Sequence, residues 1–165
     1  MKILLTAFLL ATAVCLAADP NDPPIRPDVK LTPGVLMPNV TVEQLCTKGY
    51  ANVFNGGVRN VPESEKKAVF IEYFGKVPDH AGDFEIDHLI SLELGGANDI
   101  KNLWPQSYKT TPWNSHVKDK LEDRMAALVR QELKTKGHDA AASLLAQFQK
   151  EIATDWIAAY QKYCK

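Results

Sequence analysis

The stretch from Phe84 to Trp104 constrains the fold more than any other part of the chain. Its apolar residues fall on alternate positions from Phe84 to Leu94, and the pair Gly95-Gly96 then interrupts the pattern. Alternation with a period of two predicts a half-buried strand, or two short ones. Residues 100–104 can return as the second arm, so the sequence predicts a β-hairpin with a long loop.

Helices are predicted on both sides of this hairpin. A short one covers residues 41–46 and a second covers about 62–74, with proline in its first turn and glycine as its stop. Apolar residues at helical spacing predict a long helix over 114–135 and another over 139–163. Together these elements predict an α+β domain in which the long helix lies against the hairpin.

The amino-terminal part of the chain has two distinct compositions. Residues 1–18 contain Lys2, an apolar run and then small residues, which is typical of a secretory signal peptide. The mature protein is then expected to be secreted or periplasmic. Six prolines follow, and they predict an extended linker or tail over residues 19–40. No later apolar run is long enough to span a bilayer, so residues 41–165 are expected to form one domain.

The net charge does not favour a strongly basic binder of polyanions. Without the signal peptide the chain has 18 Lys and Arg residues against 20 Asp and Glu residues, a net charge of −2. Residues 101–136 contain eight basic and four acidic side chains and are locally +4. A solvated helix face explains such a run as well as a binding surface does.

Two cysteines, Cys46 and Cys164, remain after the signal peptide is removed. An even number of cysteines in an exported protein favours a disulfide bond between them. Two separate thiols are the alternative.

Candidate catalytic residues lie in the hairpin and at the start of the long helix. Asp87 and His88 are adjacent, Asn102 follows fourteen residues after His88, and Asn114 and His116 lie near the helix start. Hydrolysis of a phosphodiester needs a base that is neutral near pH 7, which suits a histidine. It also needs a cation to offset charge on the phosphate, and an Asp carboxylate with an Asn carbonyl can hold one.

This order of residues resembles the HNH, or ββα-metal, nuclease motif, and the chain is similar to small exported bacterial proteins that carry the motif. The resemblance implies a β-hairpin packed on a helix, with His88 as general base and Asp87 as a metal ligand. It also implies that Asn102 braces the hairpin loop and helps to orient the base. The expected activity is metal-dependent cleavage of DNA, or else RNA, with little sequence preference.

The second metal ligand is either Asn114 or His116. Asn114 lies three residues before the apolar Val117 on the same helix face, whereas His116 is about 200° around the helix from Asn114. This spacing favours Asn114, which together with Asp87 would suit Mg²⁺ or Mn²⁺. A site that includes His116 would suit Zn²⁺ or Ni²⁺.

Three basic side chains, Lys118, Lys101 and Arg124, are candidates for contact with the phosphates of a nucleic acid. For Lys118, a solvent-facing pair with Glu122 is an equal alternative. If the protein is a toxin delivered to rival cells, an immunity protein is an expected partner. The alternative to a nuclease is a catalytically inactive binding or structural module of the cell envelope with the same scaffold.

Overall fold

The computed structural model describes residues 17–51 and 58–165. The predicted signal peptide falls almost entirely on residues 1–16 and therefore lies outside the described residues. Within the two described ranges, no helix is both long enough and apolar enough to cross a membrane.

An α+β architecture is confirmed, because the described residues form four α-helices and one two-stranded antiparallel sheet. Short 3₁₀ turns join several of these elements. In chain order the helices and strands are α1 (Val42–Leu45), α2 (Glu63–Phe74), β1 (Phe84–His88), β2 (Leu103–Ser107), α3 (Ser115–Lys136) and α4 (His138–Tyr163).

Strand β1 is shorter than the sequence pattern predicts, and the second strand begins later in the sequence. Strand β1 ends at His88, and Leu92–Leu94 form a 3₁₀ turn rather than a second strand. Residues Ile100–Asn102 also form a 3₁₀ turn, so the return arm begins at Leu103. The prediction of a strand to Leu94 was therefore wrong in extent, and so was the predicted start of the second arm.

The register of the hairpin assigns its residues to two faces. Asp87 lies opposite Trp104 and Glu85 opposite Gln106, so these four share one face. The Nζ atom of Lys118 on α3 donates to Asp87, which places α3 on this face. His88 is on the other parity together with Phe84, whose ring packs against the aromatic rings of α2.

Helices α3 and α4 pack against each other and supply much of the apolar core. Gly137 adopts a positive φ of 86° between them, and this permits the chain to reverse direction. Helix α4 is broken at Asp155, whose φ and ψ are −161° and 96°. The Oδ1 atom of Asp155 accepts from the backbone N–H groups of Ile157 and Ala158, so it caps the second part of the helix.

Residues 19–40 are not a free linker or tail, and this corrects the expectation from their proline content. Thr32 is buried, and its hydroxyl donates to the carbonyl of Leu103 in β2. Gly34 N–H donates to the carbonyl of Lys101, and Leu36 forms a bridge with Gly96. Arg26 makes two hydrogen bonds to the Asp155 carboxylate. The segment therefore packs along the hairpin loop and α4.

Candidate active site

The loop between the strands is held by the side chain of Asn102, which is fully buried. Its Oδ1 accepts from Ile90 N–H at 3.0 Å, and its Nδ2 donates to the carbonyls of Ile90 and Ala97. Gly96 passes so close that an added Cβ would lie 1.8 Å from the Ile90 carbonyl oxygen. Only glycine fits at this position. Asn102 thus has the bracing contacts that the resemblance implies.

His88, the candidate base, ends strand β1 and is only 1% exposed. Its Nε2 lies 3.1 Å from Oδ1 of Asn98, an atom that can only accept, so Nε2 carries the proton. The other ring nitrogen, Nδ1, is then a lone-pair acceptor. It is buried and has no hydrogen-bond partner among the described residues. Burial lowers the pKa of His88 to about 4, although the Asp87 charge and the bond to Asn98 oppose this shift.

Asn98, rather than Asn102, orients the imidazole of His88. Its Oδ1 also accepts from Asn60 N–H, and its Nδ2 donates to the carbonyl of Val58 at 2.6 Å. The base is therefore tied to the chain segment before α2. The sequence analysis missed Asn98, although it lies in the loop directly after Gly95-Gly96, where a side chain can reach the end of β1.

Asp87 binds an internal ammonium group on the opposite side of the strand. Its Oδ2 is 2.7 Å from Nζ of Lys118, and its Oδ1 accepts from His88 N–H at 2.8 Å. The same Nζ donates to the carbonyl oxygen of His88 at 2.6 Å and also contacts the carboxylate of Glu122. Lys118 is 0% exposed. All three ammonium hydrogens thus have an oxygen acceptor.

One ammonium cannot neutralise two buried carboxylates, and the pKa directions reflect this. Burial alone would lower the pKa of Lys118, but the charges of Asp87 and Glu122 outweigh burial and raise it. For Glu122, burial raises the pKa against the opposing charge of Lys118, and Asp87 adds to the increase. The cluster therefore favours a charged lysine, with a proton retained on the glutamate side.

Asn114 and His116 are both engaged in other contacts. The Oδ1 atom of Asn114 caps α3 by accepting from Val117 N–H, and its Nδ2 donates to the carbonyl of Thr110. His116 is exposed, and its ring stacks on Tyr108 with a centroid distance of 5.2 Å. In this arrangement the Asn114 side-chain carbonyl oxygen caps α3, and the His116 ring is exposed.

The residues as arranged do not fit a divalent cation at Asp87. Such an ion would lie beside the Lys118 ammonium, and repulsion at about 4 Å would be roughly 8 kcal/mol at an effective dielectric constant of about 20. Within residues 17–51 and 58–165, no three His, Cys, Asp or Glu side chains form a group that could hold a metal ion. The expected Mg²⁺ or Mn²⁺ site is therefore not supported by the geometry.

The candidate phosphate contacts differ in exposure. Lys101 and Arg124 are exposed on the surface. Lys118 is buried and paired, so the expectation that it contacts phosphate is corrected. The alternative prediction was a solvent-facing pair of Lys118 with Glu122. The pair is present, but Lys118 does not face the solvent.

A cavity of about 620 Å³ lies between α2 and the first residues of β1, and its walls include Arg59, Lys66, Lys67 and Glu85. His88 does not line it, but the charge of Arg59 acts on both His88 and Glu85. Burial, with the charges of Asp87 and Asp119, raises the pKa of Glu85 to about 7. The sequence analysis missed Arg59 and Glu85, because neither has a distinctive pattern around it.

The predicted disulfide between Cys46 and Cys164 is not present. The thiol of Cys46 lies near Arg130, whereas the Sγ atom of Cys164 is 3.8 Å from the carbonyl of Lys120. Ten residues of helix α3 separate these two neighbours, or about 15 Å along its axis. A disulfide requires Cα atoms within about 7 Å, and in this arrangement both thiols are free.

Comparisons with protein-family models, with curated proteins and with solved structures found no match to this chain.

Proposed function

We propose that the protein is a nuclease that hydrolyses the phosphodiester bonds of DNA, with RNA as the alternative substrate. The observation that carries this proposal is the state of His88. It is a neutral, oriented imidazole whose Nδ1 lone pair has no partner among the described residues. An imidazole that is held through one nitrogen and has a lone pair on the other has the arrangement that a general base needs.

The hydrolytic step uses His88 as the proton acceptor. Asn98 holds the ring by accepting from Nε2–H, so Nδ1 takes a proton from the attacking water. The water oxygen then bonds to phosphorus, and the bond from phosphorus to the leaving sugar oxygen breaks. The leaving oxygen takes a proton from solvent and the imidazolium returns its proton to solvent, so charge and atoms balance. In the described conformation Nδ1 is closed off from solvent, so this step requires the contacts around it to open.

Substrate phosphates are best accommodated on the side of Arg59. Asp87 of the hairpin lies close to Asp119 and Glu122 of α3, and this concentration of acidic side chains disfavours a polyanion there. The charge of Arg59 acts on the base, and the cavity that Arg59 lines also contains Lys66 and Lys67. Export from the cell and an immunity protein as partner stay predictions of the sequence.

A second candidate is an inactive binding or structural module with the same scaffold. Two observations favour it. Lys118 fills the position next to Asp87, and His88 is 1% exposed. Only a measurement of turnover separates this candidate from the nuclease.

Turnover is measured with supercoiled plasmid DNA and with single-stranded RNA, using purified residues 19–165 in Mg²⁺, in Mn²⁺ and in EDTA. We expect cleavage by the wild type and its loss in His88→Ala. His116→Ala is the matched control, because it removes an exposed imidazole from the neighbouring helix. A folded wild type that cuts neither polymer under any condition would favour the inactive module.

A further inference from the structure

The Lys118 ammonium lies at one point between β1 and α3 where three oxygens converge. They belong to the Asp87 carboxylate at 2.7 Å, the His88 carbonyl at 2.6 Å and the Glu122 carboxylate. The lysine side chain is 0% exposed, and that of Asp87 is 4% exposed. Two carboxylates and a carbonyl around one buried point form a set of ligands typical of a hard cation.

Burial of a charged lysine costs free energy unless other interactions compensate for the lost hydration. Desolvation of an ammonium and two carboxylates is offset only when their geometry is good and the remaining hydrogen-bond groups are satisfied. Here all three donors of Nζ find acceptors, and one acceptor is the backbone carbonyl of the candidate base. The ammonium therefore fixes the end of β1 to α3 at His88.

We infer that Lys118 takes the place of a divalent cation in this protein, so that a fixed ammonium holds Asp87, the His88 carbonyl and Glu122 together without metal. The inference builds on the proposed ββα site. Its test measures metal binding rather than turnover, so the two proposals can fail separately.

The three oxygens around the ammonium also predict the effect of removing the Lys118 side chain. Lys118→Ala leaves the two carboxylates and the carbonyl around an empty, buried point. The Asp87 and His88 oxygens lie 2.7 and 2.6 Å from Nζ, which is close to the roughly 2.3–2.6 Å typical of oxygen ligands to Ca²⁺ and well beyond the roughly 2.0–2.1 Å typical of Mg²⁺. The variant should therefore acquire a cation site that prefers Ca²⁺ to Mg²⁺.

The experiment measures thermal unfolding and calorimetric binding of residues 19–165 with Ca²⁺, Mn²⁺ or Mg²⁺ against EDTA. We expect the wild type to bind none of them at this site and its melting temperature to stay within about 1 °C. For Lys118→Ala we expect Ca²⁺ to raise the melting temperature by about 3 °C or more, and Mg²⁺ to raise it by less. Lys120→Ala, which removes an exposed lysine from the same helix, should behave as the wild type.

Metal binding by the wild type tests the inference even if Lys118→Ala does not fold. Binding of one Mn²⁺ or Ca²⁺ by the wild type that is abolished in Asp87→Asn would overturn the inference, because the ammonium would then yield to the metal. Binding that survives Asp87→Asn lies elsewhere on the protein, so it leaves the ammonium in the role of the cation. A folded Lys118→Ala that gains no affinity would also overturn it, because the three oxygens would not form a cation site.

Discussion

The burial of a neutral His88 predicts a specific dependence of stability on pH. In the folded protein its pKa is lowered from 6.5 to about 4. Between these values the unfolded chain binds a proton more readily than the folded protein does, so the free energy of unfolding falls as the pH decreases. The full difference corresponds to about 3 kcal/mol, of which about 2 kcal/mol is lost at pH 5.

This contribution can be isolated by comparing the wild type with His88→Gln. Glutamine keeps an N–H donor for Asn98 but has no group that titrates in this range. We expect urea unfolding at pH 8 and pH 5, followed by tryptophan fluorescence, to show a decrease that is about 2 kcal/mol larger for the wild type than for His88→Gln. His116→Gln is the control for loss of an exposed histidine and should follow the wild type.

Parallel pH profiles for the wild type and His88→Gln would refute this reasoning. They would mean that the pKa of the imidazole is the same in the folded protein as in the unfolded chain. The interpretation of Nδ1 as a buried, unpartnered lone pair would then have to be abandoned, and with it the main support for His88 as the base.

Three further predictions concern other parts of the site and the fold. The pKa of Glu85 is raised to about 7 in the folded protein, so its ionisation at higher pH destabilises the fold. In urea unfolding, Glu85→Gln should therefore stabilise the protein at pH 8 by about 1–2 kcal/mol, after allowance for solvent screening, and have little effect at pH 4. Asn102→Ala leaves the Ile90 N–H and two carbonyls without partners and should cost about 2–4 kcal/mol in the same assay; a loss below about 1 kcal/mol would show that the loop relaxes without the brace. Cys46 and Cys164 should both react with a thiol reagent in unreduced, denatured residues 19–165, and an intact mass that matches the oxidised pair would contradict the fold as described.

The sequence predicted the elements well but misplaced the hairpin, and the reasons are physical. Leu92 and Leu94 are as buried as strand residues, at 2% and 0% exposure, although they lie in a 3₁₀ turn. Their alternation with polar neighbours is therefore indistinguishable from that of a strand. The predicted second arm ended at residue 104, whereas β2 continues through Pro105 to Ser107. Proline is tolerated there because both strands of a two-stranded sheet are edge strands.

The proline-rich segment shows a different limit of sequence reasoning. Its prolines correctly exclude helix and regular strand over residues 19–40, apart from one isolated bridge at Leu36. They carry no information on whether an irregular chain is free or packed. That depends on partners distant in sequence, such as Tyr73, whose hydroxyl hydrogen-bonds with Thr32, and Asp155, which binds Arg26.

Asp87 and His88 were candidate site residues from the sequence alone, but the side chains that bind them could not be predicted. Lys118 lies three residues before Leu121 and seven before Met125, so it belongs to the helical stripe that is buried. Val117, which the sequence analysis used to define that stripe, is only half-buried. The stripe is rotated by about one residue from the predicted one, and this rotation is what brings Lys118 into contact with Asp87.

The internal ammonium of Lys118 affects how the attacking water can be activated. A metal ion lowers the pKa of a water bound to it, whereas an ammonium that is fully hydrogen-bonded to protein oxygens does not activate water. All of the activation would then rest on His88, and an imidazole with a pKa of about 4 is a weak base at pH 7. The negative charge of a phosphate bound near Arg59 would raise that pKa, because a nearby anion favours the imidazolium. In this arrangement the substrate itself strengthens the base, so slow cleavage that depends on the substrate's charge is the form of activity most consistent with the site.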